Sequence, residues 1–514
     1  MALQAAVLTF AVLVSGCASR GPVPPIVFPG AGTTPAGASR AVRDLGQSLT
    51  ELFTEPAAAH AVWGVQVRSL DQHETLYRLN DHTLLIPAST LKILTLAAAA
   101  DQLGWDYRYE TQFLATASIE QGTLRGDLIV RGSGDPTIHA PDRRADDDLF
   151  SRWAADLGRL GIRRIDGRLI GDDNVVDGGA SEPWAGLGDG WAWNDLAFGF
   201  ATPGGALQYR ENVVELIVEP GNHTGTPVTA RVDDPASGLQ LVNRMVTAEP
   251  GSDSTFTLRR LPGQGILVLG GSIPAGAPTV HRMVSVDNPT TYFVNVLRRV
   301  LERHGISVGG EAVDVDDLPV EALASLQRQA HVLVTYHSPP LSEIAVDMMK
   351  RSQNLYAETL LRTLGTHVGG GAAASGQEVV GDLLESWNVA PDQFAIADGS
   401  GLSRYNLVTA DTLVRVLERM RLDPRDPAPF EGTLPIAGRD GTLASRMAGT
   451  AAEGNARAKT GAMTSVRALA GYVQTRDGER LAFAILANNF QVPPSQITDI
   501  VDRAVVALAA FTRR

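Results

Sequence analysis

Lysine is almost absent from this 514-residue chain: of its 44 Lys and Arg side chains, only Lys92, Lys350 and Lys459 are lysine. A guanidinium stays protonated in proteins, so general-base chemistry by an amine is confined to those three positions. Cysteine is scarcer still, with Cys17 the single one. If that thiol is modified, the chain holds no disulfide and core burial alone must stabilise the fold. The ten His form no H-E-x-x-H pair, so no metal site is signalled and no cofactor is expected. Positive charge is in deficit as well, the net being −13. That excludes an electrostatic grip on phosphate backbones, and no nucleic-acid partner is expected. What the chain does have is apolar material, 44% of its residues, enough for two to four domains by length and too much for disorder, collagen or coiled coil.

Residues 1–16 carry no charged side chain and run apolar for the length of an export-signal core, too short to span a bilayer. They end in Val14-Ser15-Gly16-Cys17, similar to a bacterial lipobox in which Cys17 is lipidated and becomes the mature N-terminus. The alternative is an ordinary cleaved signal whose neighbouring Cys is incidental; the n-region lacks the usual Lys or Arg. Residues 17–39, rich in Pro, Gly, Ala and Thr, read as a tether between lipid and folded body. The expected location is the periplasm or cell envelope, with the membrane held through the lipid anchor. No other stretch is apolar and charge-free over a spanning length.

Two of the three lysines sit in patterned surroundings. In Pro87-Ala88-Ser89-Thr90-Leu91-Lys92 a helix is expected to start near Ser89, which puts Ser89 and Lys92 on one face. An amine there, among Leu and Ile and in the field of a helix N-terminus, can be depressed in pKa and activate the hydroxyl without His. Taken alone, S-x-x-K is equally a Ser N-cap before a solvated Lys. Lys350 abuts Ser352-Gln353-Asn354, in the turn before an amphipathic helix. A hydroxyl can relay a proton there and an amide can bind a peptide carbonyl; a Ser cap and a turn Asn would read the same. Lys459-Thr460-Gly461 precedes two apolar strands around Asp477-Gly478, so it lies on a strand edge where an extended substrate can add, with a cation to meet its carboxylate.

S-x-x-K, S-x-N and K-T-G in that order are the pattern of penicillin-binding proteins and class A β-lactamases. The long interval from Ser89 to Ser352 resembles the class C low-molecular-mass penicillin-binding proteins, the D-alanyl-D-alanine carboxypeptidase/endopeptidase family, whose large insertion sits there. Segments such as Trp191-Ala192-Trp193-Asn194-Asp195, Asp398-Gly399-Ser400-Gly401 and Asp440-Gly441-Thr442-Leu443 extend the resemblance in order over nearly all of the mature chain. It implies an α/β penicillin-binding/β-lactamase-like transpeptidase domain, a sheet flanked by helices, with large β-rich inserted domains. Ser89 would be the acylated nucleophile, Lys92 its base, Ser352 the proton relay and Asn354 a substrate clamp. Lys459 and Thr460 would recognise the carboxylate, with Gly461 allowing close approach and the N–H groups of Ser89 and Ala462 forming the oxyanion hole. Arg404, Met463 and Asp172 match positions of the substrate side-chain pocket. Two departures stand out: Gln353 where Asp or Asn is usual, and Ala462 where Thr or Ser is usual.

The implied substrates are peptidoglycan stem peptides ending in D-Ala-D-Ala, with β-lactam antibiotics as covalent inhibitors. A β-lactamase-like hydrolase, or a catalytically weak cell-wall-binding lipoprotein, remains as an alternative. Gly305-Ile306-Ser307-Val308-Gly309 imitates a nucleophile elbow, but an apolar-periodic segment over Tyr292–His304 precedes it, so Gly305 is expected to end a helix. Residues 40–112 plus 334–514 are expected to form the catalytic domain, 113–138 plus 231–333 an inserted domain and 139–230 a second one nested in it.

Overall fold

A computed structural model of the chain describes residues 32–140, 149–174, 186–368, 375–422 and 428–513. Cys17, the residues 1–16 read as an export signal and the first part of the segment read as a tether lie outside the described residues.

The body is organised by a five-stranded antiparallel sheet, ordered Glu74–Leu79, Val62–Ser69, Arg480–Asn488, Val466–Gln474, Arg457–Met463. Strand Val62–Ser69 pairs along its whole length with Arg480–Asn488, so the two ends of the sequence are one structural unit. Alternation of side chains along each strand sends successive residues to opposite faces. Leu481, Phe483, Ile485 and Ala487 pack under helices Arg40–Phe53 and Pro494–Ala510. Ala482, Ala484 and Leu486, with Ala468 and Ala470 beside them, face helices Lys92–Gln102, Asn354–Val368 and Ala410–Leu422. The second face is built largely of alanine. Small side chains let helix Ala410–Leu422 and the turn Ala88–Leu91, which leads into the helix that carries Lys92, lie close to the sheet.

The last part of the segment read as a tether is joined to the body. Thr33 exchanges two backbone hydrogen bonds with Arg78, at 2.8 and 3.0 Å, and Ser39 caps helix Arg40–Phe53 by accepting from the Val42 N–H. Residues from Thr33 onward therefore run against the sheet edge.

The insertion is β-rich, as expected, but its divisions fall elsewhere. Strands Glu110–Ala115 and His331–His337 pair with each other at the edge of a five-stranded sheet continued by Leu128–Gly132, Leu169–Asp172 and Ala312–Asp314. Boundaries at 112/113 and 333/334 thus cut through paired strands, and a boundary at 138/139 separates strands that pair. Strand Val213–Glu219 pairs with both Thr229–Val232 and Val280–Ser285, so 230/231 divides a sheet too. Among the described residues the strand ladders close instead within about 213–285, a nested unit inside 110–337 that an isolated bridge of Val284 to Phe198 joins to the rest. The sequence pattern hides this because hydrogen-bond partners are set by register across long separations, not by local periodicity. A single apolar core, including Trp153, Phe293, Val214 and Leu267, runs through both parts. Helix Pro289–Arg303 ends as expected, with Gly305 in the left-handed region at φ 80°.

Phe483 is fully buried on the central strand Arg480–Asn488. Its replacement by Ala should cost about 3–5 kcal/mol of stability. Chemical denaturation checks this; an unchanged midpoint would contradict the packing described.

Candidate active site

The backbone before Ser89 is held in an unusual shape. Ala88 takes φ 46°, a left-handed conformation that non-glycine residues adopt at a cost, and a 3-10 turn over Ala88–Leu91 then leads into helix Lys92–Gln102. Asn488 from the central strand brackets Ile86, its Oδ1 accepting from the Ile86 N–H at 2.9 Å and its Nδ2 donating to the Ile86 carbonyl at 3.1 Å. Two glycines close in from other segments. A Cβ on Gly401, itself at φ 83°, would stand 1.9 Å from the Ala88 carbonyl oxygen, and one on Gly461 would stand 2.5 Å from that of Pro87. Only bare backbone fits at either place.

Lys92 is fully buried at the first turn of its helix. Its Nζ donates to Ser89 Oγ at 3.0 Å, to Asn354 Oδ1 at 2.6 Å and to the Ser400 carbonyl at 2.7 Å. Three donors meet three acceptors, which satisfies an ammonium geometrically. Burial nevertheless disfavours the charge and brings the pKa down to about 7, against the opposing pull of Asp398 and Glu358. A proton carrier near neutrality therefore sits in direct contact with a hydroxyl.

Lys459 lies on the edge strand Arg457–Met463, also fully buried, and donates to Ser352 Oγ at 2.8 Å and to the Thr460 carbonyl at 2.9 Å. Desolvation, with Lys92 nearby, holds its pKa well below the usual lysine value. Asn354 opens helix Asn354–Val368 and Ser352 occupies the turn before it at φ 60°, so S-x-N and K-T-G meet through one lysine. Asn354 Nδ2 donates to the Phe200 carbonyl at 2.8 Å, bringing the insertion to the rim of the site. Thr460 Oγ1 donates to Thr442 Oγ1 at 2.8 Å, and Ala462 is exposed beside it. Lys350, the third lysine, ends helix Leu341–Lys350 and pairs with Asp440 at 2.5 Å, tying down the turn that carries Thr442.

The side-chain pocket residues divide. Arg404 donates to the Thr464 carbonyl at 2.9 Å, one residue past Met463, which ends the edge strand. Asp172, by contrast, is paired with Arg131 at 2.7 Å inside the inserted sheet. Asp195 is the carboxylate that feels the charge of Arg404; burial raises its pKa and Arg404 lowers it. Its signal was available in Trp191-Ala192-Trp193-Asn194-Asp195, whose Trp191 Nε1 donates to Asp398 at 3.0 Å. Glu358 was missed altogether. One helical turn beyond Asn354, it accepts from the N–H groups of Gly399 at 3.2 Å and Ser400 at 2.8 Å, steadying the carbonyl that receives Lys92. Burial raises Glu358 to about 7.

A sheet flanked by helices, with a serine hydroxyl on a buried lysine and a second lysine on the open strand edge, defines the class of penicillin-binding serine peptidases. Residues 45–510 match the D-Ala-D-Ala carboxypeptidase 3 (S13) family, and the chain belongs to that family. It is 34% identical over 494 residues to a D-alanyl-D-alanine carboxypeptidase of Actinomadura sp. (strain R39), covering 93% of this chain and 88% of that one. The D-alanyl-D-alanine carboxypeptidase DacB of Haemophilus influenzae is 28% identical over 433 residues, covering 83% and 85%. The crystal structure of penicillin binding protein 4 (dacB) from that organism superposes with a TM-score of 0.76 at 26% identity, over 90% of this chain and 98% of that one. The protein is accordingly a serine-type D-Ala-D-Ala carboxypeptidase.

Replacing Gly401 by Ala should force the Ala88 carbonyl away and displace Ser89. Labelling by a fluorescent penicillin should then fall at least tenfold in protein that remains folded. Labelling at the normal rate would show that the close approach does not set the position of the serine.

Proposed function

We propose that this carboxypeptidase is exported and removes the terminal D-Ala of peptidoglycan stem peptides through an acyl-enzyme on Ser89, and that it also cleaves D-Ala-linked cross-links. The observation that supports this most is the contact of the buried Lys92 amine with Ser89 Oγ at 3.0 Å. Neutral Lys92 takes the Ser89 proton as Oγ bonds to the penultimate carbonyl carbon. The N–H groups of Ser89 and Ala462 receive the developing oxyanion. Ser352, bonded to Lys459, relays the proton taken by Lys92 to the departing amine as the C–N bond breaks. Lys92 is left neutral, to take a proton from the water of the next step and return it to Ser89 Oγ. Water then hydrolyses the ester and releases the shortened peptide. Lys459 and Thr460 hold the terminal carboxylate of the substrate along the open edge strand, and Arg404 with Asp195 meets its side chain. β-Lactams enter by the same first step and remain as adducts, in keeping with a β-lactam complex solved for the Haemophilus influenzae protein.

A fluorescent penicillin with timed release tests this reading. A lasting adduct together with D-Ala release from a D-Ala-D-Ala peptide is the expected result; rapid turnover of the penicillin would make the protein a β-lactamase, and absence of label would leave a binding module. The acylation rate should rise with pH through about 7 as Lys92 loses its proton, and Lys92→Arg should abolish acylation, since a guanidinium offers no neutral form. Close to wild-type acylation by that variant would remove Lys92 as base.

Anchoring belongs to the same proposal: lipid on Cys17 holds the enzyme at the envelope membrane. Cys17→Ser should release it to the soluble fraction or leave the precursor uncleaved. Unchanged membrane association in fractionated cells would contradict the anchor.

A further inference from the structure

Besides the Phe200 carbonyl on Asn354, the insertion reaches the catalytic turn through the side chain of Glu211. Arg210, Glu211 and Asn212 are three consecutive non-glycine residues in the left-handed region, at φ 51°, 55° and 56°. Such backbone persists only where its surroundings over-determine it. The outer two residues are pinned to the insertion itself: Arg210 N–H donates to the Ile138 carbonyl at 3.0 Å and its guanidinium pairs with Asp233, while Asn212 Nδ2 donates to the Pro203 carbonyl at 3.0 Å. The middle residue points the other way. Glu211, 4% exposed, accepts from Arg351 Nη1 at 2.6 Å and Nη2 at 3.0 Å, from Tyr356 OH at 3.2 Å and from Gln353 Nε2.

Arg351 and Gln353 are the two neighbours of Ser352, whose own φ of 60° is strained and whose Oγ receives Lys459. We propose that Glu211 is a positioning residue for the reaction, clamping both neighbours of Ser352 so that its hydroxyl stays on Lys459. The inference rests on Ser352 acting as the proton relay. It also accounts for Gln353. An Asp at that place would set a second carboxylate against Glu211, whereas the longer amide both reaches it and donates. The insertion thereby acts on turnover as well as on shape: whatever shifts residues 210–212 would shift Ser352.

The test compares Glu211→Gln, Gln353→Glu and the double variant with wild type. In Glu211→Gln, kcat for D-Ala release should fall at least tenfold with KM changed less than threefold. In the double variant a carboxylate again meets an amide and Arg351 again has an acid, so kcat should recover at least fivefold over Glu211→Gln. A purely structural tie would instead lower thermal stability and leave kcat of the folded fraction within twofold, which overturns the proposal, as does a double variant no better than the single one. If Glu211→Gln does not fold, Gln353→Met, at a half-buried position, carries the test: a threefold or greater loss of kcat supports the clamp and an unchanged kcat overturns it. Ser352→Ala run in parallel separates the two readings. Wild-type kcat there overturns the relay and this proposal with it, whereas loss there with none in Glu211→Gln overturns the clamp alone.

Discussion

Withdrawal of the Lys92 ammonium from water is the constraint on which the site depends. A buried amine must either find enough acceptors to stay charged or give up its proton, and Lys92 is poised between the two: three acceptors hold it while desolvation lowers its pKa to about 7. Each acceptor comes from a different part of the chain, Ser89 at residue 89, Asn354 more than 250 residues on, and Ser400 beyond that. The catalytic helix, the S-x-N turn and the 398–401 turn therefore have to converge before the lysine is usable. Failure of any one would leave an unmet polar group in a dry interior, which links correct assembly of the site to stability.

Convergence needs space as much as attraction. The alanine-lined sheet face, Gly461 on the edge strand and Gly401 in its turn are places where larger side chains would push the elements apart by ångströms. Lys459 follows from the same packing. Once its strand lies against Pro87 and Ala88, its amine is desolvated next to Lys92, and two close cations in a dry site favour loss of a proton. The insertion contributes from the other side, through the Phe200 carbonyl on Asn354 and the Glu211 carboxylate on Arg351 and Gln353. It forms part of the wall of the site, though it lies far from the motifs in sequence.

The motifs were legible because the chemistry demands residue types at short spacing. Ser89 with Lys92, and Ser352 with Asn354, lie within one turn of each other, and lysine is rare enough in this chain for each occurrence to stand out. Apolar runs on either side of Asp477-Gly478 marked the two strands that form as Val466–Gln474 and Arg480–Asn488, and helical periodicity over Tyr292–His304 marked the helix that forms as Pro289–Arg303. These features come from local steric and hydrophobic rules that act within about ten residues.

What the sequence by itself determined was thus the repertoire of the chain: which groups can attack, take a proton or bind a carboxylate, and which segments form the layers around them. The tertiary structure decided partnership. Nothing in the local sequence around Asp172 or Asp195 names a partner, and only the fold gives Arg131 to the first and Arg404 to the second. Glu358 and Glu211 resemble any helical or turn glutamate until the 399–400 backbone and the S-x-N turn are brought against them. The nested boundary near 213–285 likewise follows from strand register between distant segments. Electrostatic partnership and strand pairing depend on distance in space, and a period of two or 3.6 residues along the chain carries no information about it.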